Sequence, residues 1–388
     1  MIYDFLIVGG GIAGASAAYE LAPFGNVLLL EAEDAAGYHA TGRSAALFTR
    51  NYGGPEVRRI NASSAAFFKS PPPGFTQTPL LTPRGCLTVS SLAQSKDLDA
   101  LLAMSETGEE IEEIDVKDAC ALIPFLRHDR VERAVIEANV ADIDVATLHA
   151  SYLRGAKARG AHIMLKHAVN GLSWSGTTWT AQTTRDTFQS IHLINAAGAW
   201  ADQIGALAHT RSIGLVPKRR TAIIIKAPDD INCSALPALD FAESDAYLKP
   251  DGGRLMVSPG DAEPVEPHDA WADDMVIAIL ADWVERETTL KVEKIEHSWA
   301  GLRSFVPDEA PVVGFDGEVP NFFWLAGQGG FGIMMAPALA ILTAELMTGR
   351  TPGAKSVEFA DALSPHRLHR YSAIQIRKPG GAYDNIIA

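Results

Sequence analysis

Cysteine is scarce in this chain: Cys86, Cys120 and Cys233 are the three in 388 residues, far apart and without a C-x-x-C pair. That spacing argues against a disulfide framework or a cysteine metal centre, and suits a reducing, cytoplasmic setting. No metal site is expected. Positive charge is also short. The 33 Lys and Arg against 47 Asp and Glu leave a net charge of −14, the wrong sign for a surface that tracks nucleic-acid phosphates. No apolar run is long enough to span a membrane. The apolar N-terminus lacks the basic flank of a secretory signal and carries Asp4. Basic and apolar residues mix in the tail, from His366 to Lys378, and this is the segment with a pattern for grazing a membrane. A terminal helix packed on the body is the commoner use of that pattern. What the chain does have is apolar mass: 47% hydrophobic residues, which excludes global disorder and can fill two cores.

The most informative stretch is the first thirty-one residues. Ile2 to Val8 is an apolar run suited to a buried parallel strand, and Gly9-Gly10-Gly11-Ile12-Ala13-Gly14 follows at once with G-x-G-x-x-G spacing. Ala15 to Leu21 predicts a helix, Val27 to Leu30 a second buried strand, and Glu31 closes it. Gly9 permits the tight turn, Gly11 lets a pyrophosphate approach the backbone, and Gly14 lets helix and strand pack closely. The helix N-terminus then faces the phosphate charge. Glu31 is placed to accept adenosine ribose hydroxyls and would repel a 2′-phosphate, which favours FAD or NAD over NADP.

Nucleotide-type segments recur later. Asp144 caps a predicted helix over 145–159, ended by Gly160, and 161–165 reads as a strand. Residues 174–184 alternate around Ser175-Gly176 and read as a hairpin. Ile191 to Asn195 and Phe322 to Ala326 are buried strands, the latter running into Gly327-Gln328-Gly329-Gly330-Phe331-Gly332 and a helix over 335–347. Between them, 106–120 reads as charged helix. Residues 222–225, 246–249 and 254–257 read as antiparallel strands turned at Asp251-Gly252-Gly253. The expected fold is α/β: a discontinuous Rossmann-type domain with a parallel sheet (1–84, 138–215 and 300–388), plus a smaller α+β substrate domain with an antiparallel sheet (85–137 and 216–299). Their contact would form the ligand cleft.

With Ala40-Thr41-Gly42-Arg43-Ser44-Ala45-Ala46, Asn195-Ala196-Ala197-Gly198-Ala199-Trp200, Gly301-Leu302-Arg303 and the Gly-rich turn at 327–332, nearly the whole chain resembles the D-amino-acid oxidase superfamily of flavoproteins. Its look is that of the D-amino-acid dehydrogenase, glycine oxidase and sarcosine oxidase branch. Tyr38 to Ser44 and Pro217-Lys218-Arg219-Arg220 resemble bacterial D-arginine dehydrogenase-like proteins. The resemblance selects FAD over NAD. It implies a cofactor held by Gly9, Gly11, Ile12, Ala13 and Gly14, by Glu31 and Ala32, and by Thr41, Gly42, Arg43, Ser44 and Ala45. Val169, Ala197, Gly198, Gly301, Gly329, Gly330 and Gly332 complete the set. Relatives that tether flavin use a cysteine in the C-terminal part; none follows Cys233 here, so FAD is expected to be noncovalent.

The resemblance also implies a small-molecule amino acid substrate and an electron acceptor, quinone or oxygen. Arg303 would clamp the α-carboxylate through its planar fork, with Tyr247 sharing that carboxylate and Tyr52 and Arg220 as further candidates. Hydride would pass from Cα to flavin N5, and the resulting imino acid would hydrolyse to a 2-oxo acid. No catalytic histidine is nominated; His39 reads as a loop hydrogen-bonder. In the group with cationic substrates an acid follows the Pro-Arg segment, whereas this chain has Pro83-Arg84-Gly85-Cys86-Leu87, and Leu47 where a histidine is expected. Neutral, apolar or (with Arg50 nearby) dicarboxylic side chains are therefore expected over cationic ones. Two alternatives compete: an FAD-dependent 2-hydroxy acid dehydrogenase, which needs a base for the hydroxyl proton, and a flavin-carrying subunit without turnover.

Overall fold

The computed structural model describes residues 1–104, 110–354 and 356–368. The tail call falls mostly on residues 369–388, outside the described residues, as do residues 105–109 of the expected charged helix.

Strand Ile2–Val8 lies at the centre of an eight-stranded sheet, with strand Thr187–Asn195 on one side and strand Val27–Leu30 on the other, all parallel. His162–Met164 extends the parallel run beyond Val27–Leu30, and Phe322–Ala326 extends it beyond Thr187–Asn195. Such strands are covered on both faces, which is why they read as unbroken apolar runs. Leu6, Leu28 and Trp324 pack on one face, while Ile7 and Leu29 pack on the other against helices Ile12–Leu21 and Gly332–Met347. The last helix is apolar all round because it is buried on nearly every side. Two antiparallel strands, Val169–Trp174 and Trp179–Thr183, complete a meander onto Thr187–Asn195. Their turn lies at the expected Ser175-Gly176. The Asp144 side chain caps helix Val145–Ala158 by accepting the Thr147 amide at 2.8 Å.

The second sheet has nine strands. Its order runs from Val216–Ile225 through Arg254–Ser258, Tyr247–Asp251 and Ala238–Phe241 to Cys86–Ser90 and Arg133–Glu137. Its neighbours are antiparallel except for the parallel pair Ala238–Phe241 and Cys86–Ser90. Leu87, Leu239, Leu248 and Val257 bury one face against helix Asp274–Glu287, through Leu280 and Trp283. The opposite face turns toward the first sheet. The architecture is the expected α/β fold with a parallel nucleotide-type sheet and an antiparallel second sheet.

Two local readings are corrected. Residues 111–114 form a strand, not part of a charged helix, because they add an edge to Arg133–Glu137; helix starts only at Val116. Tertiary pairing overrides local propensity there. Strand Ile295–Phe305 runs antiparallel to Val216–Ile225 along its full length, so Gly301 and Arg303 belong to the second sheet rather than to the nucleotide-side segment that was expected to begin at residue 300.

Candidate active site

At the carboxyl end of strand Ile2–Val8 the backbone turns through Gly9 at φ 108°, where a side chain would press on the Ala196 carbonyl. This is the left-handed region that glycine enters without strain. Helix Ile12–Leu21 starts at Gly11 without a side-chain cap of its own. Thr41 supplies one from the neighbouring loop: its Oγ1 accepts the Ile12 amide at 2.9 Å. Glu31 Oε2 accepts the Gly10 amide at 2.8 Å and Oε1 the Glu33 amide at 2.9 Å. His149, on a helix that sequence reasoning left structural, bonds the Gly10 carbonyl at 2.8 Å. The loop is thus held from three sides, with Glu31 on the wall of an elongated cavity of about 600 Å³.

The cavity runs from this loop to the second sheet. It is lined by Gly9, Gly11, Ile12, Ala13, Glu31, Ala32, Thr41, Arg43, Ser44, Ala45, Val169, Ala197, Gly198, Gly301, Gly329, Gly330 and Gly332, and at the far end by Arg220, Tyr247 and Arg303. The chain thus brings the scattered candidates onto one surface, with three corrections. Gly14 lies behind the wall, where a Cβ would sit 1.9 Å from the Gly9 carbonyl oxygen; it serves packing. Gly42 is also off the wall, its amide donating to the Gly37 carbonyl at 2.8 Å. Tyr52 stands outside the lining, with its ring against Phe331 at 5.0 Å.

Arg43 touches the cavity, but its guanidinium is committed to protein. Nη2 donates to Asp269 at 2.5 Å, and Nη1 donates to the Ala270 and Ala300 carbonyls at 2.8 and 3.0 Å. Trp299 Nε1 donates to the Arg43 carbonyl at 3.2 Å. The expected flavin-loop arginine is therefore a staple between that loop and the second sheet. His39 bonds Glu33 at 2.9 Å, a loop contact. Gln328 was quoted in the Gly-rich turn but not singled out. Its Nε2 is buried without a partner and the residue lines the cavity. Such an orphan donor points to an acceptor supplied by a ligand. The residue preceding helix Gly332–Met347 also provides no side-chain cap, so that helix start offers free amides at the wall.

At the far end, Arg303 is enclosed by protein yet keeps accessible surface, as a cavity-wall group does. Its Nη2 donates to the Tyr247 hydroxyl at 3.4 Å. Arg220 stands beside it. Burial first, then the charge of Arg303, pull the Arg220 guanidinium below its ordinary value. Asp261 approaches Arg220 Nε to 4.0 Å, but its carboxylate is taken by the Thr221 amide and hydroxyl at 2.6 and 2.8 Å. Arg220 Nε is left buried without a hydrogen bond. Two guanidiniums and a phenol thus line the same end of the cavity, a set of donors suited to an anion. Among the described residues no group of His, Cys, Asp and Glu is arranged to hold a metal ion, and no helix is long and apolar enough to cross a membrane.

A Rossmann-type phosphate loop, a ribose-side carboxylate, a second helix start and an anion receptor along one cavity define a dinucleotide-dependent oxidoreductase. Residues 4–346 match the family model described as FAD dependent oxidoreductase, and the chain belongs to that DAO family. The chain is 25% identical over 189 residues to glycine oxidase of Geobacillus kaustophilus, covering 49% of this chain and 47% of that protein. It is 29% identical over 178 residues to FAD-dependent oxidoreductase domain-containing protein 1 of Xenopus laevis, covering 40% and 34%. The matches thus span less than half the length of these relatives. The fold is shared with the crystal structure of Geobacillus kaustophilus glycine oxidase (TM-score 0.79, 21% identity, 90% of this chain and 96% of that one). It is shared also with iminodiacetate oxidase from Chelativorans sp. BNC1 (TM-score 0.78, 22% identity, 93% and 98%).

The cofactor is FAD, and the residues present fit it. Glu31 and the Gly9–Gly14 loop suit the adenosine and pyrophosphate, and the orphan Gln328 amide and the 332 helix start suit the other end. The three cysteines are buried thiols, and none lines the cavity. Acid precipitation should therefore release all flavin into the supernatant; yellow colour remaining on the washed protein would contradict a noncovalent cofactor.

Proposed function

We propose that this protein oxidises a D- or N-substituted amino acid with FAD, transferring hydride from Cα to flavin N5 and leaving an imino acid that water hydrolyses to a 2-oxo acid. The observation that carries the reading is Arg303, enclosed on the cavity wall, bonded to the Tyr247 hydroxyl and without a protein carboxylate as hydrogen-bond partner among the described residues. A guanidinium in that setting is suited to a substrate carboxylate, bound through two parallel bonds. Arg220, with an unused Nε, adds a second positive charge, and the Tyr247 hydroxyl steadies the fork. FAD, when bound, supplies the two-electron acceptor. The chain holds the carboxylate so that Cα faces that acceptor.

No protein base is needed if the amine binds neutral. That separates this reading from 2-hydroxy acid oxidation, which needs a group for the hydroxyl proton. His39, His167 and His268 line the cavity but are bonded to Glu33, Asp186 and the Glu266 carbonyl, so the alternative gains no support.

The test is anaerobic mixing of the flavin-loaded protein with D-, L- and N-methyl amino acids and with 2-hydroxy acids. Bleaching of the flavin by an amino acid and not by the matching hydroxy acid is expected. Bleaching by the hydroxy acid alone would overturn the reading.

A further inference from the structure

Two irregular segments meet along one side of the cavity. One is the loop over 37–44. The other is a strap over 265–273 that links strand Glu263–Pro264 to helix Asp274–Glu287. Tyr38, His39 and Arg43 of the loop and His268 and Ala270 of the strap line the cavity. The outer side of the same seam meets water: Tyr38 is 44% exposed, the Asp269 side chain 40% and Trp271 75%. A wall with the cofactor cavity on one side and solvent on the other is a closure. Among the described residues no backbone hydrogen bond joins its two halves.

The strap is tied at both ends. The Val265 amide donates to the Pro217 carbonyl at 2.9 Å, and Asp273 caps the following helix by accepting the Met275 and Val276 amides at 2.9 and 3.2 Å. Between those ends the apolar hold is small: Ala270 packs with Ala199, Ala300 and Leu302. Side-chain bonds do the rest. Asp269 Oδ1 accepts Arg43 Nη2 at 2.5 Å, and Oδ2 accepts the Tyr38 hydroxyl at 3.1 Å. His39 Nδ1 lies 4.0 Å from Oδ1, and Arg43 Nη1 donates to the Ala270 carbonyl at 2.8 Å. Among the described residues Asp269 is the strap side chain that bonds the loop. The Arg43 bond holds the Asp269 carboxyl below its ordinary range, so the joint is ionic. Segments held by few apolar contacts and solvent-exposed bonds open at low cost compared with a core.

We propose that Asp269 is the catch of a cofactor gate: FAD enters and leaves through the seam between residues 37–44 and 265–273, and the bonds of Asp269 to Arg43 and Tyr38 open for each passage. The role does not depend on which substrate the cavity takes. It also gives the exposed side of the seam a purpose, since a joint that must open and reclose cannot be a sealed core. A catch made between protein groups stabilises the closed form with and without the cofactor. Weakening it therefore speeds entry and exit alike and leaves their ratio nearly unchanged. A residue that only supports the bound cofactor would act on exit and leave entry as it was.

The test measures both directions on the full chain. Entry is followed by the change in FAD fluorescence on mixing FAD with apoprotein, and exit by exchange of bound FAD for excess radiolabelled FAD. Asp269→Asn should raise both rate constants by on the order of tenfold, the size of one half-exposed charge-assisted bond. The Kd for FAD should move by less than about threefold. Tyr38→Phe removes the phenol bond and keeps the ring, and it should raise both rates by a smaller factor. If Asp269→Asn does not fold, Tyr38→Phe decides alone. Faster exit with unchanged entry, so that the Kd weakens in proportion, overturns the proposal, because Asp269 would then support the bound cofactor and not its passage. Entry and exit both at wild-type rates overturn it as well.

Discussion

Arg303→Lys should lose flavin reduction by substrate almost as completely as Arg303→Ala. Arg303 lies on the second sheet, its register fixed by Lys218 on the neighbouring strand, and one of its donors already meets the Tyr247 hydroxyl. A lysine ammonium is a point charge on a flexible stem and cannot reproduce a planar two-point contact while keeping the Tyr247 phenol. Leaving a substrate carboxylate buried and unpaired costs roughly 3–5 kcal/mol, the range measured when one partner of a buried pair is removed. The loss should appear in the anaerobic reduction rate with one good amino acid. Its amide, lacking the carboxylate, should be poor with wild type and little changed by the substitution. FAD content should stay near wild type, since the guanidinium is assigned to substrate. Unchanged reduction by the acid in either variant would shift the clamp to Arg220.

The second large effect is at Gly14. A methyl there would fall 1.9 Å from the Gly9 carbonyl oxygen and 3.2 Å from Ile7 Cγ2. Neither the strand nor the helix can give way without opening the phosphate loop. Gly14→Ala should therefore purify with little or no FAD and unfold earlier. Overpacking of this kind costs about 1–3 kcal/mol or more, which is a drop of several degrees in Tm for a domain of this size. Flavin absorbance per protein and a thermal melt of the apoprotein check it. Wild-type FAD content at wild-type Tm would mean that the helix does not pack as described.

The parts of this molecule legible in the sequence are those governed by neighbours in the chain. The buried strands at 2–8, 27–30 and 322–326 were readable because a parallel strand covered on both faces is an unbroken apolar run. The Asp144 cap acts three residues away, and the G-x-G-x-x-G turn carries its own conformational demand at Gly9. Arg303 and Tyr247 drew attention through family likeness, since one arginine and one tyrosine have no local signature.

Other features have no local signature at all. Edge pairing with 133–137 makes 111–114 a strand despite two glutamates. The Arg43 fork meets Asp269 and Ala300, more than two hundred residues away, so its stapling of the loop to the second sheet follows from long-range packing. Gln328 becomes informative only once its amide is buried without a partner. Asp240 reads in the sequence as one acid among 47. Its neighbour Tyr247 is set by strand register and its high titration by burial, which are properties of the assembled sheet. The sequence by itself determined the nucleotide fold and its cofactor class, because turns, caps and apolar runs act over a few residues. The tertiary structure decided which charges face one another across the cleft, because desolvation and pairing depend on what the fold brings alongside.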